Sequence, residues 1–164
     1  MIQVLRIGDP GEVEGDALLL SMGTDLEPLT PAESRFAIQA GEASRSRLRA
    51  MKDLPLGAAV VMPGGGLPVE VLIHVVIRSM DEGVSPRSVR RAFQNGLRQA
   101  AAWGVHRLVV LPLGVGAGNL DAEEAAQIMT EVFLQHREGD ALPGTLVVLA
   151  ADGYQEDAFR RVAP

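Results

Sequence analysis

Cysteine is missing from this 164-residue chain. Its absence removes disulfides, thiolate nucleophiles and thiolate-held metals, and it suits a reducing compartment. Aromatic residues make up only 4% of the sequence, too few to build a stacking platform for single-stranded nucleic acid. Positive charge is also short. The net charge is −6, which argues against nonspecific attraction to a phosphate backbone. Two arginine-rich groups, Arg45, Arg47, Arg49 with Lys52 and Arg87, Arg90, Arg91 with Arg98, read as solvated helix faces. No apolar run approaches the roughly 20 residues of a membrane span, and "MIQVLRIGDP" does not read as a secretory leader. His74, His106 and His136 are far apart in sequence, with no H-x-x-x-H spacing. The chain is therefore expected to be soluble and cytoplasmic, with no metal site, no cofactor, and no nucleic-acid or membrane partner.

What is present is an alternation of buried strands and capped helices. One domain spanning residues 1–164 is the expectation at this length, large enough to be stable without staples. "IQVLRI" and "DALLLS" read as strands, the second apolar on both faces. A helix is predicted from "TPAESRFAIQAGEASRSRLRAM", with Thr30 as N-cap, Pro31 at the first position and Glu33 completing a capping box. "AAVVM" and "VEVLIHVVI" read as strands on either side of "PGGGLP". Ser85 and Pro86 open a second helix whose Val89, Phe93, Leu97 and Ala100 recur at helical spacing, and Gly104 stops it. "HRLVVLPL" reads as a strand, "DAEEAAQIMTEVFLQH" as a helix capped by Asp121 with Glu124 as box partner, "TLVVLAA" as a last strand and "GYQEDAFRRV" as a closing helix. Strands apolar on both faces need cover on both faces, so the class is α/β, layered, with helices on each side of a mixed sheet.

In such sheets ligands sit beyond the carboxyl ends of the strands. "GVGAGN", Gly114, Val115, Gly116, Ala117, Gly118 and Asn119, stands between a strand and a helix N-terminus. Its small residues would let an anion approach the backbone, and the helix end would favour one. A tight turn with glycines for packing is the competing reading. No Gly-Lys-Ser/Thr follows, so this is not a Walker loop, and it stands too late in the chain for a dinucleotide fingerprint. Asp9, closing the first strand, can accept from an exocyclic amine or a ribose hydroxyl, or serve as a turn residue before Pro10. Ser21 ends the second strand without a nucleophile elbow around it. Asp152 reads as a helix cap, and His74, inside an apolar strand, as a core residue.

The order of elements and several segments resemble the macro domain, an ADP-ribose-binding α/β module. "GDALLL", "FAIQAG", "LGAAVVMPGGGLPVEVLIHVV" and "GVHRLVVLPLGVGAGNLDAEEAA" carry the likeness, the third being the most specific. The resemblance implies a three-layer α/β/α macro-domain-like fold with a mixed central sheet. It also implies that Asp9 binds the adenine amine and that Gly114 to Asn119 wrap a diphosphate. The loop is one residue shorter between Pro112 and Gly114 than the family's common form, and Val115 replaces a frequent Thr or Ser. The family's asparagines after the second strand fall at Leu20 and Gly23, its first glycine loop is replaced by "LTPAES", and its late aromatic falls on Ala150 or Ala151.

The resemblance thus implies a divergent binder of ADP-ribose or a related nucleotide, with Asp9, Ser21 and residues 114–119 as ligand contacts and without robust hydrolase activity. No catalytic residue is assigned. Under a hydrolase reading Asp25, Glu27 or Glu33 would have to replace the lost asparagine. A further resemblance, of "DALLLSMGTDLEPLTPAESRFAI" and "RRAFQNGLRQAAAWGVHRLVVLPL" to the N-terminal domain of leucyl-type aminopeptidases, implies instead a non-catalytic module for packing and homo-oligomer contacts.

Overall fold

The computed structural model describes residues 1–116 and 118–164. Six strands form one sheet: β1 (Ile2–Arg6), β2 (Ala17–Gly23), β3 (Ala59–Pro63), β4 (Val71–Arg78), β5 (Arg107–Val110) and β6 (Thr145–Ala150). Their spatial order is β1-β6-β5-β2-β4-β3. All neighbours run parallel except β3, which is antiparallel to β4. Among the described residues five α-helices complete the fold: α1 (Pro31–Ala40), α2 (Glu42–Ala50), α3 (Pro86–Ala102), α4 (Ala122–Gly139) and α5 (Gly153–Val162). None of the described helices is long and apolar enough to cross a membrane.

The side-chain alternation of β2 shows why two helical layers are required. All seven of its residues are buried. Ala17 and Leu19 join Phe93, Leu97, Met129, Phe133 and Phe159 in a core under α3, α4 and α5. Leu18, Leu20 and Met22 point the other way, into a second core with Phe36, Leu48 and Leu72 under α1 and α2. Each fully buried leucine or phenylalanine contributes about 1.5–3 kcal/mol relative to exposure, so neither face could be left to water. The result is the expected α/β/α sandwich with a mixed sheet.

Local signals place most helix ends. Thr30 accepts from the Glu33 N–H at 3.1 Å. Ser85 and Ser88 form a reciprocal capping box that starts α3, and Asp152 caps α5 by accepting from the Gln155 N–H at 2.9 Å. Two expectations change. The helix expected from Thr30 to Met51 is two helices, because Gly41 takes a φ of 105° between them. That value belongs to the left-handed side of backbone space and cannot continue a helix. The Ala40 carbonyl at the break accepts instead from the Gly66 N–H of the "PGGGLP" loop at 3.0 Å. Asp121 caps α4 through the Glu123 N–H, and the Tyr154 hydroxyl also bonds its carboxylate, at 3.0 Å. No reciprocal box with Glu124 forms among the described residues.

Candidate functional site

The carboxyl ends of β1, β2, β5 and β6 carry the residues singled out in the sequence, and the structure distributes them over three places. Asp9 follows β1 and opens a single 3-10 turn, Pro10–Glu12. It stands at the edge of a cavity of about 130 Å³ whose apolar floor includes Val109, Val147 and Leu149. Arg6, Glu12 and Glu14 share its lining with these apolar residues. The Asp9 carboxylate is well exposed and lies 3.9 Å from the Arg35 guanidinium of α1. An exposed pair at that distance holds little energy, so the acid remains available to a donor on a ligand.

Ser21, at the end of β2, is buried and engaged. Its N–H donates to Glu33 Oε2 at 2.5 Å. Its hydroxyl lies 2.7 Å from Oε1 and 2.9 Å from Oε2. Glu33 is itself 2% exposed, and among the described residues no cation pairs with it. Burial therefore dominates its titration. Loss of hydration pushes the carboxyl up to about 7, against the two hydrogen bonds from Ser21 that favour the charged form. The expected capping box at Thr30 is half made, because the Glu33 side chain turns inward to Ser21 rather than back to the Thr30 N–H. This pair went unseen in the sequence. Its members are twelve residues apart, on a strand end and a helix first turn, and Glu33 carried a sufficient local explanation as a cap.

Among the described residues of the glycine loop, none lines the Asp9 cavity. Gly114 is buried, its carbonyl accepting from Leu120 N–H at 3.4 Å. Asn119 donates its side-chain amide to the Val84 carbonyl at 3.2 Å. Val115 packs against the larger core. Gly116 is exposed, and a methyl group added there would lie 3.5 Å from the Thr30 methyl, which brings this loop beside the start of α1. Ala117 lies outside the described residues. A Cβ on Gly118 would run into the Gly114 carbonyl oxygen and come within 2.9 Å of Val84 Cγ1. The turn-packing explanation thus accounts for Gly118, while Gly116 faces solvent.

Asp25 and Glu27 occupy the β2–α1 connection. The Asp25 carboxylate accepts from the Glu27 N–H at 3.1 Å and lies 4.0 Å from the Arg78 guanidinium. A second cavity, of about 120 Å³, lies between α1, α2 and the β2–β4 face and is lined in part by Glu27, Leu20 and His74. His74 is in the core as expected, 7% exposed, and burial pushes its imidazole down to about 4. Among the described residues, no cluster of three His, Asp or Glu side chains is arranged to hold a metal ion.

A model of the Macro domain family matches residues 33–129. An uncharacterized protein of Mycobacterium tuberculosis is 26% identical over 147 residues, a stretch covering 88% of this chain and 40% of that protein. An uncharacterized Mycobacterium bovis protein matches to the same extent. The chain thus spans about two fifths of the length of these relatives. Among solved structures, the macro domain of ganglioside induced differentiation associated protein 2 superposes with a TM-score of 0.84 at 17% identity, covering 98% of this chain and 81% of that one. A Trypanosoma brucei macrodomain in complex with ADP-ribose gives 0.84 at 15% identity, covering 98% and 68%. An Oceanobacillus iheyensis macrodomain with ADP gives 0.79 at 18% identity, covering 94% and 86%.

Proposed function

We propose, from the premise that this chain belongs to the macro domain family, that it binds ADP-ribose or a related nucleotide at the carboxyl edge of the sheet and has no robust hydrolase activity. The observation that carries this reading is the cavity at Asp9, which joins an apolar floor for a purine face to an exposed carboxylate for its exocyclic amine. Small-molecule sites combine apolar walls with a few placed polar groups in this way. The solved Trypanosoma brucei and Oceanobacillus iheyensis relatives are complexes with ADP-ribose and with ADP. In this chain the diphosphate would extend toward the solvent face of residues 114–119, where Gly116 is open.

The reading against hydrolysis rests on what stands at the reacting end. Catalysis needs a group that positions water and a clamp on the sugar. Leu20 and Gly23 supply neither. Glu33, the buried carboxyl among the described residues, is enclosed and bonded to Ser21.

Calorimetric titration with ADP-ribose tests the reading. Saturable heat is expected, and Asp9→Ala is expected to weaken binding by at least about tenfold, the order of one hydrogen bond to a charged group. No heat at millimolar ligand would overturn the binding assignment. Equal affinity in the variant would remove Asp9 from it. Steady release of ADP-ribose from a modified protein substrate would overturn the hydrolase statement alone.

A further inference from the structure

The second cavity is not lined by Asp9 or by the described residues of the glycine loop. Its floor is the cross-strand pair Leu20 and His74, which stand opposite each other in the β2–β4 ladder. Met22, Leu48 and Leu72 supply apolar walls, and Arg45 of α2 stands at the rim. Three features point to a ligand of one kind.

The first is His74. More than nine-tenths of it is buried, it lines the cavity, and among the described residues no protein group hydrogen-bonds its ring. Among the described residues no side-chain nitrogen or oxygen is both sealed from solvent and without a partner, so the ring nitrogens are open to the space of the cavity. Held neutral by burial, the imidazole presents one donor and one acceptor, a match for a hydroxyl group. The second is Arg45. On α2 the neighbouring Arg49 lies 3.7 Å from Glu42, whereas Arg45 makes no ion pair among the described residues. A rim guanidinium in a chain of net charge −6 is a local preference for an anion, and guanidinium geometry suits a carboxylate. Glu27, also in the lining, disfavours a second negative charge. The third is size. About 120 Å³, against about 150 Å³ for a cavity that encloses benzene, admits no more than a single ring.

We infer that the space between α1, α2 and the β2–β4 face is a binding site for a small aromatic monocarboxylate: its carboxylate on Arg45, its ring over Leu20 and Leu72, and a distal hydroxyl on His74. The site shares no lining residue with the Asp9 cavity; Ser21, a contact under the ADP-ribose reading, is also in its lining, with its hydroxyl held by Glu33.

The test uses benzoate, 4-hydroxybenzoate and benzylamine as probes, followed by nuclear magnetic resonance of the histidine ring signals. 4-Hydroxybenzoate is expected to shift the His74 signals saturably and to bind more tightly than benzoate, while benzylamine, a cation of the same shape, leaves them in place. Arg45→Gln is expected to weaken both acids by at least about tenfold. His74→Phe keeps a flat ring in the floor and is expected to erase the preference for the hydroxylated acid. ADP-ribose is expected to leave the His74 signals unmoved. The proposal is overturned if 4-hydroxybenzoate fails to move those signals at millimolar concentration or if benzylamine competes equally. It also falls if Arg45→Gln binds as the parent does, if the hydroxyl preference survives His74→Phe, or if ADP-ribose displaces the acid.

Discussion

Glutamine in place of Glu33 is expected to raise the stability of the protein at pH 8 by about 2 kcal/mol and to change it little at pH 4. The reason is linkage. In the unfolded chain the carboxyl titrates near its ordinary value of 4.5, and in the folded chain near 7. Below 4.5 both states hold the proton and nothing is lost. As pH rises from 4.5 to 7 the unfolded chain releases a proton that the folded chain retains, so folding becomes steadily less favourable. Each pH unit of that interval is worth about 1.4 kcal/mol, for a total cost of about 3 kcal/mol above pH 7. Glutamine removes the charge, keeps an acceptor for the Ser21 N–H, and gives back part of the gain through poorer bonding to the hydroxyl.

His74 works in the opposite direction. Its folded value near 4 lies below the ordinary 6.5, so the unfolded chain takes up a proton first as pH falls. Stability drops from pH 6.5 toward 4. In the parent protein the two slopes overlap between 4.5 and 6.5 and oppose each other. Glu33→Gln leaves the histidine slope alone, and urea unfolding across pH 4 to 8 would show stability rising with pH where the parent is nearly flat. An equal gain at pH 4 and pH 8 would mean that the glutamine acts by packing and that burial does not lift the Glu33 carboxyl. The same variant bears on binding. A diphosphate brought toward Ser21 above pH 7 meets a carboxylate, so under the proposed function Glu33→Gln is expected to tighten ADP-ribose at pH 8 and not at pH 5.

The glycine loop is expected to split into two behaviours. Gly118→Ala should cost about 3 kcal/mol, because the added methyl meets the Gly114 carbonyl oxygen and Val84, and backbone atoms in a packed turn yield little. Gly116→Ala meets only an ordinary contact with Thr30, at 3.5 Å. Its cost comes from a φ of 97°, about 1–2 kcal/mol for a residue with a Cβ. Thermal unfolding distinguishes the two. If a diphosphate lies along this loop, Gly116→Ala should still fold and should lose about tenfold in ADP-ribose affinity, because the methyl stands on the exposed side. A folded Gly116→Ala protein that binds unchanged would restrict the loop to packing. A Gly118→Ala protein as stable as the parent would show that the loop is not held as described.

The elements and their order were legible because their causes are local. Apolar runs mark β2, β4, β5 and β6. Thr30 with Pro31, Ser85 with Pro86, and Asp152 place helix starts, since a cap satisfies backbone donors within three residues of itself. Two-sided burial of β2 required helices on both faces, and that requirement alone gives the layered class. The break at Gly41 was less legible. A glycine within a helical pattern is often tolerated, and only the approach of the "PGGGLP" loop to Ala40 explains why the chain turns there.

The candidate site divides along the same line. That Asp9, Ser21 and the glycine loop each follow a strand is read from the sequence; that they lie toward one edge depends on those strands running parallel, which the structure shows. Whether they share one space does not follow from that. Asp9 opens onto an apolar cavity, Ser21 is satisfied by Glu33, and the loop packs against Val84, all through contacts between segments distant in the chain. Burial, and with it the titration of Glu33 and His74, is a property of what surrounds a group in three dimensions. Residue type and spacing set the strands and the caps. Tertiary packing alone decided that a carboxyl of this chain occupies the donors of Ser21 and that a cavity floored by His74 lies beneath α1 and α2, because desolvation and long-range hydrogen bonding have no signature in the local sequence.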